Sequence, residues 1–203
     1  MSSEKRKYAL KVRGERQGET RRRIVEATAA LHAEVGPART TVAEIARRAG
    51  VQRLTVYTHF PDEEQLITAC QEHYYASQPP PDLSEAMALA DPGERLRAVL
   101  SLLYGWYRRT EAGFTPVLRD RGTVPALDVV LKRVVDAPQA ELATGLAAGF
   151  GVEGRQGGRL RAVVRLALDF WTWRHLTEEG LDDAGAAGAM TEAVAALAAP
   201  AKR

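Results

Sequence analysis

The residues best suited to chemistry lie between Thr41 and Phe60, in the stretch TVAEIARRAGVQRLTVYTHF. Arg53, Thr55, Thr58 and His59 fall on one side of a short helical repeat, while Val56 and Phe60, at i and i+4, fall on the other. A long cation, two hydroxyls and an imidazole suit the acceptors and donors of base-pair edges and phosphate oxygens. No competing set is present. The four histidines, His32, His59, His73 and His175, form no Glu-x-x-His pair, and no Ser/His/Asp set, Walker loop or paired metal ligands stand out. Gly149 to Gly154 spells GxGxxG, but no strand precedes it and it follows a helical pattern, so an interhelical loop is expected. The expectation is therefore no catalytic residue, no metal and no cofactor.

The elements that must position this row follow from the flanking residues. Thr41 is an N-cap with Glu44 three residues on, the spacing of a capping box. Val42, Ile45, Ala46 and Ala49 mark one helix face, and small Ala46 lets a second helix cross closely. Gly50 stands where the first helix must stop and φ must be positive, and Val51 anchors the turn inward. The reading is a helix-turn-helix whose second helix enters a major groove. An ordinary helical hairpin with a polar outer face is the plain alternative. Before it, Thr20 to Val35 reads as a helix with Ile24, Ala27, Thr28, Leu31 and Val35 on one face, ended by Gly36-Pro37. Arg21, Arg22 and Arg23 crowd its first turn, where the helix dipole disfavours cations, and a phosphate backbone beside them would relieve that cost.

The stretch resembles the DNA-binding domain of the TetR family of transcriptional regulators. Thr41, Ile45, Ala46, Ala49, Gly50, Val51, Tyr57, His59, Phe60 and Leu66 carry the resemblance, and the spacing Gly50-Val51…Tyr57-x-His59-Phe60…Leu66 is its specific part. It covers roughly Thr20 to Ala76. The resemblance implies that Thr41, Arg53, Thr55, Tyr57 and His59 contact an operator in double-stranded DNA. Gln52, Leu54, Thr58 and Arg22 complete the expected interface, with Leu54 placed to touch a thymine methyl. Glu63 departs from the family, which usually has a phosphate-touching lysine there.

Charge supports a polyanionic partner at the front. The 203-residue chain carries only +2 overall, but residues 1–60 hold 13 Lys/Arg against 6 Asp/Glu, and residues 61–203 balance at −5. Residues 1–19, with Lys5, Arg6, Lys7, Lys11, Arg13 and Arg16 and the helix-discouraging Gly14 and Gly18, read as a flexible basic arm able to follow phosphates. A single cysteine, Cys70, in an apolar helical run reads as a buried structural thiol. No signal peptide or membrane-spanning run is visible, so a soluble, cytoplasmic protein is expected.

The expected fold class is all-α: a helix-turn-helix domain over 20–61, a connecting helix over 62–78, and, beyond Pro79-Pro80-Pro81, a helical ligand-binding and dimerisation domain over 82–203. Its expected helices run from Asp91 to about Glu111, then a short element Phe114–Arg121, then Thr123 to about Phe150 split near Pro138, then Arg159 to about Glu179, then a last alanine-rich helix. Surplus apolar faces on the last two suggest a four-helix interface in a homodimer. Tyr104, Trp106, Tyr107, Phe114, Phe170, Trp171 and Trp173 supply an aromatic wall, and the resemblance implies a pocket there for a small apolar or aromatic effector. Two functions stay open: an effector-responsive regulator, most simply a repressor, and a DNA-binding protein whose C-terminal domain only dimerises. A helical-bundle enzyme is disfavoured for want of a catalytic set.

Overall fold

The computed structural model describes residues 2–199, although the side chains of 2–7 and 9–12 lie outside that description. The all-α class holds, with no strand among the described residues. The chain divides into two compact units. One comprises the chain up to Pro79 together with Ala112–Leu131, and the other comprises Pro80–Glu111 with the chain from Lys132 onward.

In the first unit, α1 (Ser2–Val35), α2 (Val42–Ala49), α3 (Arg53–His59) and α4 (Glu63–Ser77) share one apolar core. Ile24, Val25, Ala27 and Leu31 from α1 meet Ile45, Ala46 and Ala49 from α2, Val56 from α3, and Leu66, Ala69 and Cys70 from α4. Each helix contributes one stripe at 3.6-residue spacing, and burying those stripes is what holds such short helices. Thr41 caps α2 by accepting from the Glu44 N–H at 3.2 Å. The reciprocal half of a capping box is not made, because the Glu44 carboxylate receives Arg47 instead. Gly50 sits at φ 64, ψ 41, and the Val51 N–H returns to the Ala46 carbonyl at 2.9 Å, so the turn is closed as a left-handed helix stop. The Arg23 guanidinium donates to the Ala49 and Gly50 carbonyls, capping the turn from outside. Arg48 and Glu34 form a two-pronged pair at 2.6 and 2.7 Å that ties α2 to α1.

The second unit contains α5 (Ser84–Met87), the first part of α6 (Pro92–Asp120), α8 (Ala137–Ala148), α9 (Gly154–Ala167), α10 (Phe170–Glu178) and α11 (Asp183–Ala198), while α7 (Pro125–Leu131) belongs to the first. Because α6 contributes to both units, a linear division at the proline run does not describe them. Between α7 and α8 the chain makes a π-helical turn over Lys132–Asp136, and Pro138 falls in the first turn of α8, where its missing N–H is harmless. The GxGxxG stretch is a loop between α8 and α9, with Gly151 and Gly154 at positive φ.

Three expected elements differ. The basic segment is not irregular: α1 starts at Ser2, because good helix formers outweigh Gly14 and Gly18, at which an added Cβ would meet nothing. The contacts expected of Lys5, Arg6, Lys7 and Lys11 lie outside the described side chains. The short Phe114–Arg121 element is the end of α6, which passes through Pro116 without stopping, its last turns held by buried Phe114 and Asp120. The expected Arg159–Glu179 helix breaks after Ala167, because the Asp169 carboxylate accepts the Trp171 and Thr172 N–H groups at 2.8 and 3.1 Å and caps a new helix.

Cys70 is buried as expected, with its thiol 3.8 Å from the Val25 carbonyl and pushed up to about 12 by burial. The His32 imidazole on α1 has no hydrogen-bond partner among the described residues. Burial lowers its imidazole to about 4, with the Asp120 charge pulling the other way. The unfolded chain takes up that proton near pH 6.5, so folding stability is complete above that value and falls as pH drops towards 4. Denaturant midpoints should therefore decline between pH 6.5 and 5, above the carboxylate range, and His32→Leu should flatten that decline. Parallel pH profiles for the two proteins would refute the assignment.

Candidate nucleic-acid interface

Helix α3 presents two different faces. Inward, Val56 and Phe60 are 1% and 3% exposed, and the Arg21 guanidinium lies 4.8 Å over the Phe60 ring. Outward, Gln52, Arg53, Leu54, Tyr57 and Thr58 are exposed, while Thr55 and His59 are half-buried. The helix is anchored on one side and uncommitted on the other.

The outward row is chemically mixed. Arg53, Gln52, Tyr57 and His59 have no side-chain hydrogen bond or ion pair among the described residues, so the Arg53 guanidinium keeps its whole fork of donors for something outside the chain. Thr58 differs from expectation: its hydroxyl donates to the Leu54 carbonyl at 2.8 Å and is engaged with its own helix. Leu54, 74% exposed, and Tyr57, 53% exposed, then form an apolar step in the middle of the row. Such a step suits the thymine methyl of a major groove more than it suits water.

The flanking candidates are placed less freely. Thr41 is exposed, but its hydroxyl is occupied in capping α2. Arg22 is exposed and clamped by Glu19 and Glu26, each at 2.6 Å, an arrangement that holds its guanidinium firmly charged. Arg23, grouped with it in the sequence, faces the Gly50 turn instead of solvent phosphate. Glu63 is exposed in the first turn of α4, where the Asp62 cap accepts the Gln65 N–H at 2.8 Å and acids suit the helix dipole. Its place there follows from helix-end electrostatics. Sequence reasoning missed Asp120, distant in the chain, whose carboxylate accepts the Ala38 N–H at 3.0 Å. No local signal marks it.

Residues 24–70 match the model of bacterial regulatory proteins of the tetR family. The match is to this helix-turn-helix domain and covers no residue beyond Cys70. An uncharacterised HTH-type transcriptional regulator of Mycobacterium bovis is 39% identical over 61 residues, which is 30% of this chain and 32% of that one. The match thus spans about a third of that relative's length. Among solved structures, a tetR-family transcriptional regulator from Streptomyces coelicolor superposes with a TM-score of 0.59 at 20% identity, covering 89% of this chain and 80% of that one. AibR, solved in complex with isovaleryl coenzyme A and operator DNA, superposes with a TM-score of 0.57 at 21% identity, covering 86% and 97%. These structural likenesses establish the fold.

The expected effector wall is built as follows. Tyr104, Trp106, Tyr107, Phe170 and Trp173 are buried together as packed core, with ring centroids 5.4–6.3 Å apart. The Tyr104 and Tyr107 hydroxyls each donate to a carbonyl at 2.7 Å, of Ala167 and Leu168, and the Trp173 Nε1 donates to Asp183 at 3.0 Å. Their polar handles are satisfied internally, which is how aromatic residues behave in a core. Trp171 is half-buried, edge-on to Phe170 and under Arg174. Phe114 lines a cavity. That cavity, of about 60 Å³, lies in the first unit between α1, α4, α7 and the last turns of α6. Among the described residues no group of three or more His, Cys, Asp or Glu is arranged to hold a metal, and no helix is long and apolar enough to cross a membrane.

Arg53→Ala should cost about 1–3 kcal/mol on a cognate duplex and relax base choice at one position per half-site. Competition titrations against a scrambled duplex check it. Equal losses on both would reduce Arg53 to a phosphate contact.

Proposed function

We propose that this chain is a homodimeric, sequence-specific transcriptional regulator acting on DNA in the cytoplasm, most simply a repressor released from a palindromic operator by a small apolar or aromatic effector. The observation that carries the reading is the uncommitted outer row of α3, with unpaired Arg53 beside Gln52, Leu54 and Tyr57, standing on the buried Val56–Phe60 anchor. Its setting, a tetR-family domain at the basic end of the chain, supplies a polyanion as the natural counterpart. In the two-fold arrangement, half-sites lie about one helical turn or a multiple apart. Leu102 and Leu166, 42% and 54% accessible, are the most exposed large apolar side chains described in the second unit and are the ones a second copy would cover.

The effector reading rests on the cavity in the first unit, whose walls include Ala29, His32, Ile67, Cys70, Tyr74 and Phe114. Its lining is largely apolar, and neutral His32 offers one hydrogen-bonding group for orientation. His32 and Ile67 also line a second cavity, of about 130 Å³, with Val56, Tyr57 and Phe60. An occupant of the first would therefore press on side chains that touch the roots of the recognition helix. The packed aromatic cluster of the second unit favours the other reading, in which that unit only dimerises.

One experiment separates these. Light scattering should give twice the 22.2 kDa chain mass, and an apolar compound found by calorimetric screening should weaken operator binding by a coupling of about 1–3 kcal/mol. Phe114→Ala should abolish the calorimetric signal, and Trp171→Ala should leave it. A monomer that binds no duplex would end the regulator reading, and a dimer that binds duplex with no response to any compound would leave the non-sensing one.

A further inference from the structure

Asp120, at the end of α6, is buried to 6% accessibility in a place where a carboxylate needs partners. It has them. Oδ2 accepts the Ala38 N–H at 3.0 Å, and Oδ1 accepts the Arg119 Nε–H at 2.7 Å. The Arg119 guanidinium also donates to the Val35 carbonyl at 3.3 Å, the same carbonyl that takes Arg39 Nε at 2.9 Å. Two residues of α6 thus grip both sides of the Gly36–Arg39 turn, 82 positions away for the Asp120–Ala38 bond. The approach is so close that a Cβ at Gly36 would clash with Asp120 Oδ2, and Gly36 itself stands at φ +90. Glycine is needed there twice over, for its backbone and for the carboxylate against it.

We propose that Asp120 is a positioning residue for DNA recognition: through the Gly36–Arg39 turn it fixes where the chain enters α2, and so how α3 is presented to the groove. The proposal rests on the DNA-binding reading. Three facts support it beyond structural neatness. The gripped turn ends at Thr40, and the next residue, Thr41, is the N-cap of α2. The grip is charge-assisted on both carboxylate oxygens' surroundings, with Arg119 the strongest influence keeping Asp120 ionised and Arg39 adding to it. Finally, the carboxylate is borne by α6, a helix of 29 residues whose first part, through Glu111, belongs to the other compact unit. The turn before the helix-turn-helix is therefore tied to a continuous helix and does not hang only on α1.

The test compares wild type, Asp120→Asn and Arg119→Gln on a cognate duplex selected from a genomic pool and on an unrelated duplex at the same salt. Asp120→Asn keeps the shape and one acceptor for Ala38 but loses the charge. It should weaken cognate binding about tenfold, the size of a lost charge-assisted hydrogen bond, and leave the unrelated duplex within about twofold. Arg119→Gln, half-exposed and tolerant of change, should give a smaller loss in the same direction, so the proposal stays testable if Asp120→Asn fails to fold. The Ala38 amide should lose hydrogen-exchange protection in Asp120→Asn while Ala46 and Ala49 keep theirs. Cognate and unrelated affinities that fall together, or a cognate affinity unchanged in Arg119→Gln and in any folded Asp120→Asn, overturn the proposal. A wild type that selects no duplex at all would instead overturn the regulator reading on which it rests.

Discussion

Everything at the basic end of the chain depends on burying Val56 and Phe60. The helix that carries the outward row has seven residues, two turns, and a helix that short is not stable by itself in water. It exists because its inner side chains complete a core already half-made by Ile24, Val25 and Leu31 of α1 and Leu66 and Cys70 of α4. Each fully buried side chain of this kind contributes about 1.5–3 kcal/mol against exposure, and no surface ion pair of the domain approaches that. The outer face can be chemically open only because the inner face carries the energetic load. That separation explains how Leu54 can stand 74% exposed on an ordered helix.

The helix-turn-helix was legible in the sequence because its signals are local. Thr41, Gly50, Val56 and Phe60 are each informative at fixed offsets within one short stretch, and every one does in the structure what its type suggests. Where the structure adds to the reading, residue type alone does not name the partner. Thr58 counts as a donor until its hydroxyl is seen turned to the Leu54 carbonyl. Arg23 reads like Arg21 and Arg22, but its guanidinium meets carbonyls 26 and 27 positions away. Asp120 gives no local signal whatever, because its meaning is the amide of Ala38. The aromatic residues of the second half pose a related question: helical spacing places Tyr104, Tyr107 and Trp173 inward but does not say whether inward means a cavity or a core. Here their hydroxyls and indole N–H close on carbonyls and a carboxylate.

Helix breaks followed the same rule. The Asp91–Glu111 helix and the Phe114–Arg121 element read as separate and are one helix running through Pro116, whereas Leu168-Asp169 reads as continuous and is a break. A proline removes one hydrogen bond, a loss that buried neighbours can outweigh. An aspartate able to accept two N–H groups at once offers the chain a better ending than another turn of helix, and the sequence around Asp169 allowed either outcome.

The charge at the front needs a finer reading than its sum. The balance of +7 over residues 1–60 already includes the glutamates, so the long-range attraction for a polyanion is unaffected by how the charges pair. Contact at close range is a different quantity, because it requires donors that are not already used. Arg22, Arg47 and Arg48 each rest on carboxylates, and Arg23 rests on backbone. A phosphate could draw the exposed ones away only by displacing a partner at 2.6–2.7 Å in the case of Arg22 and Arg48. Arg53 needs no such exchange. The domain therefore combines a broad positive field, which acts on a polyanion without regard to sequence, with an Arg53 guanidinium at the start of α3 that has no partner among the described residues. On the proposed function, readout of sequence falls to that guanidinium with Gln52, Tyr57, His59 and the apolar step beside them, whereas Arg22, Arg23, Arg47 and Arg48 already serve the scaffold.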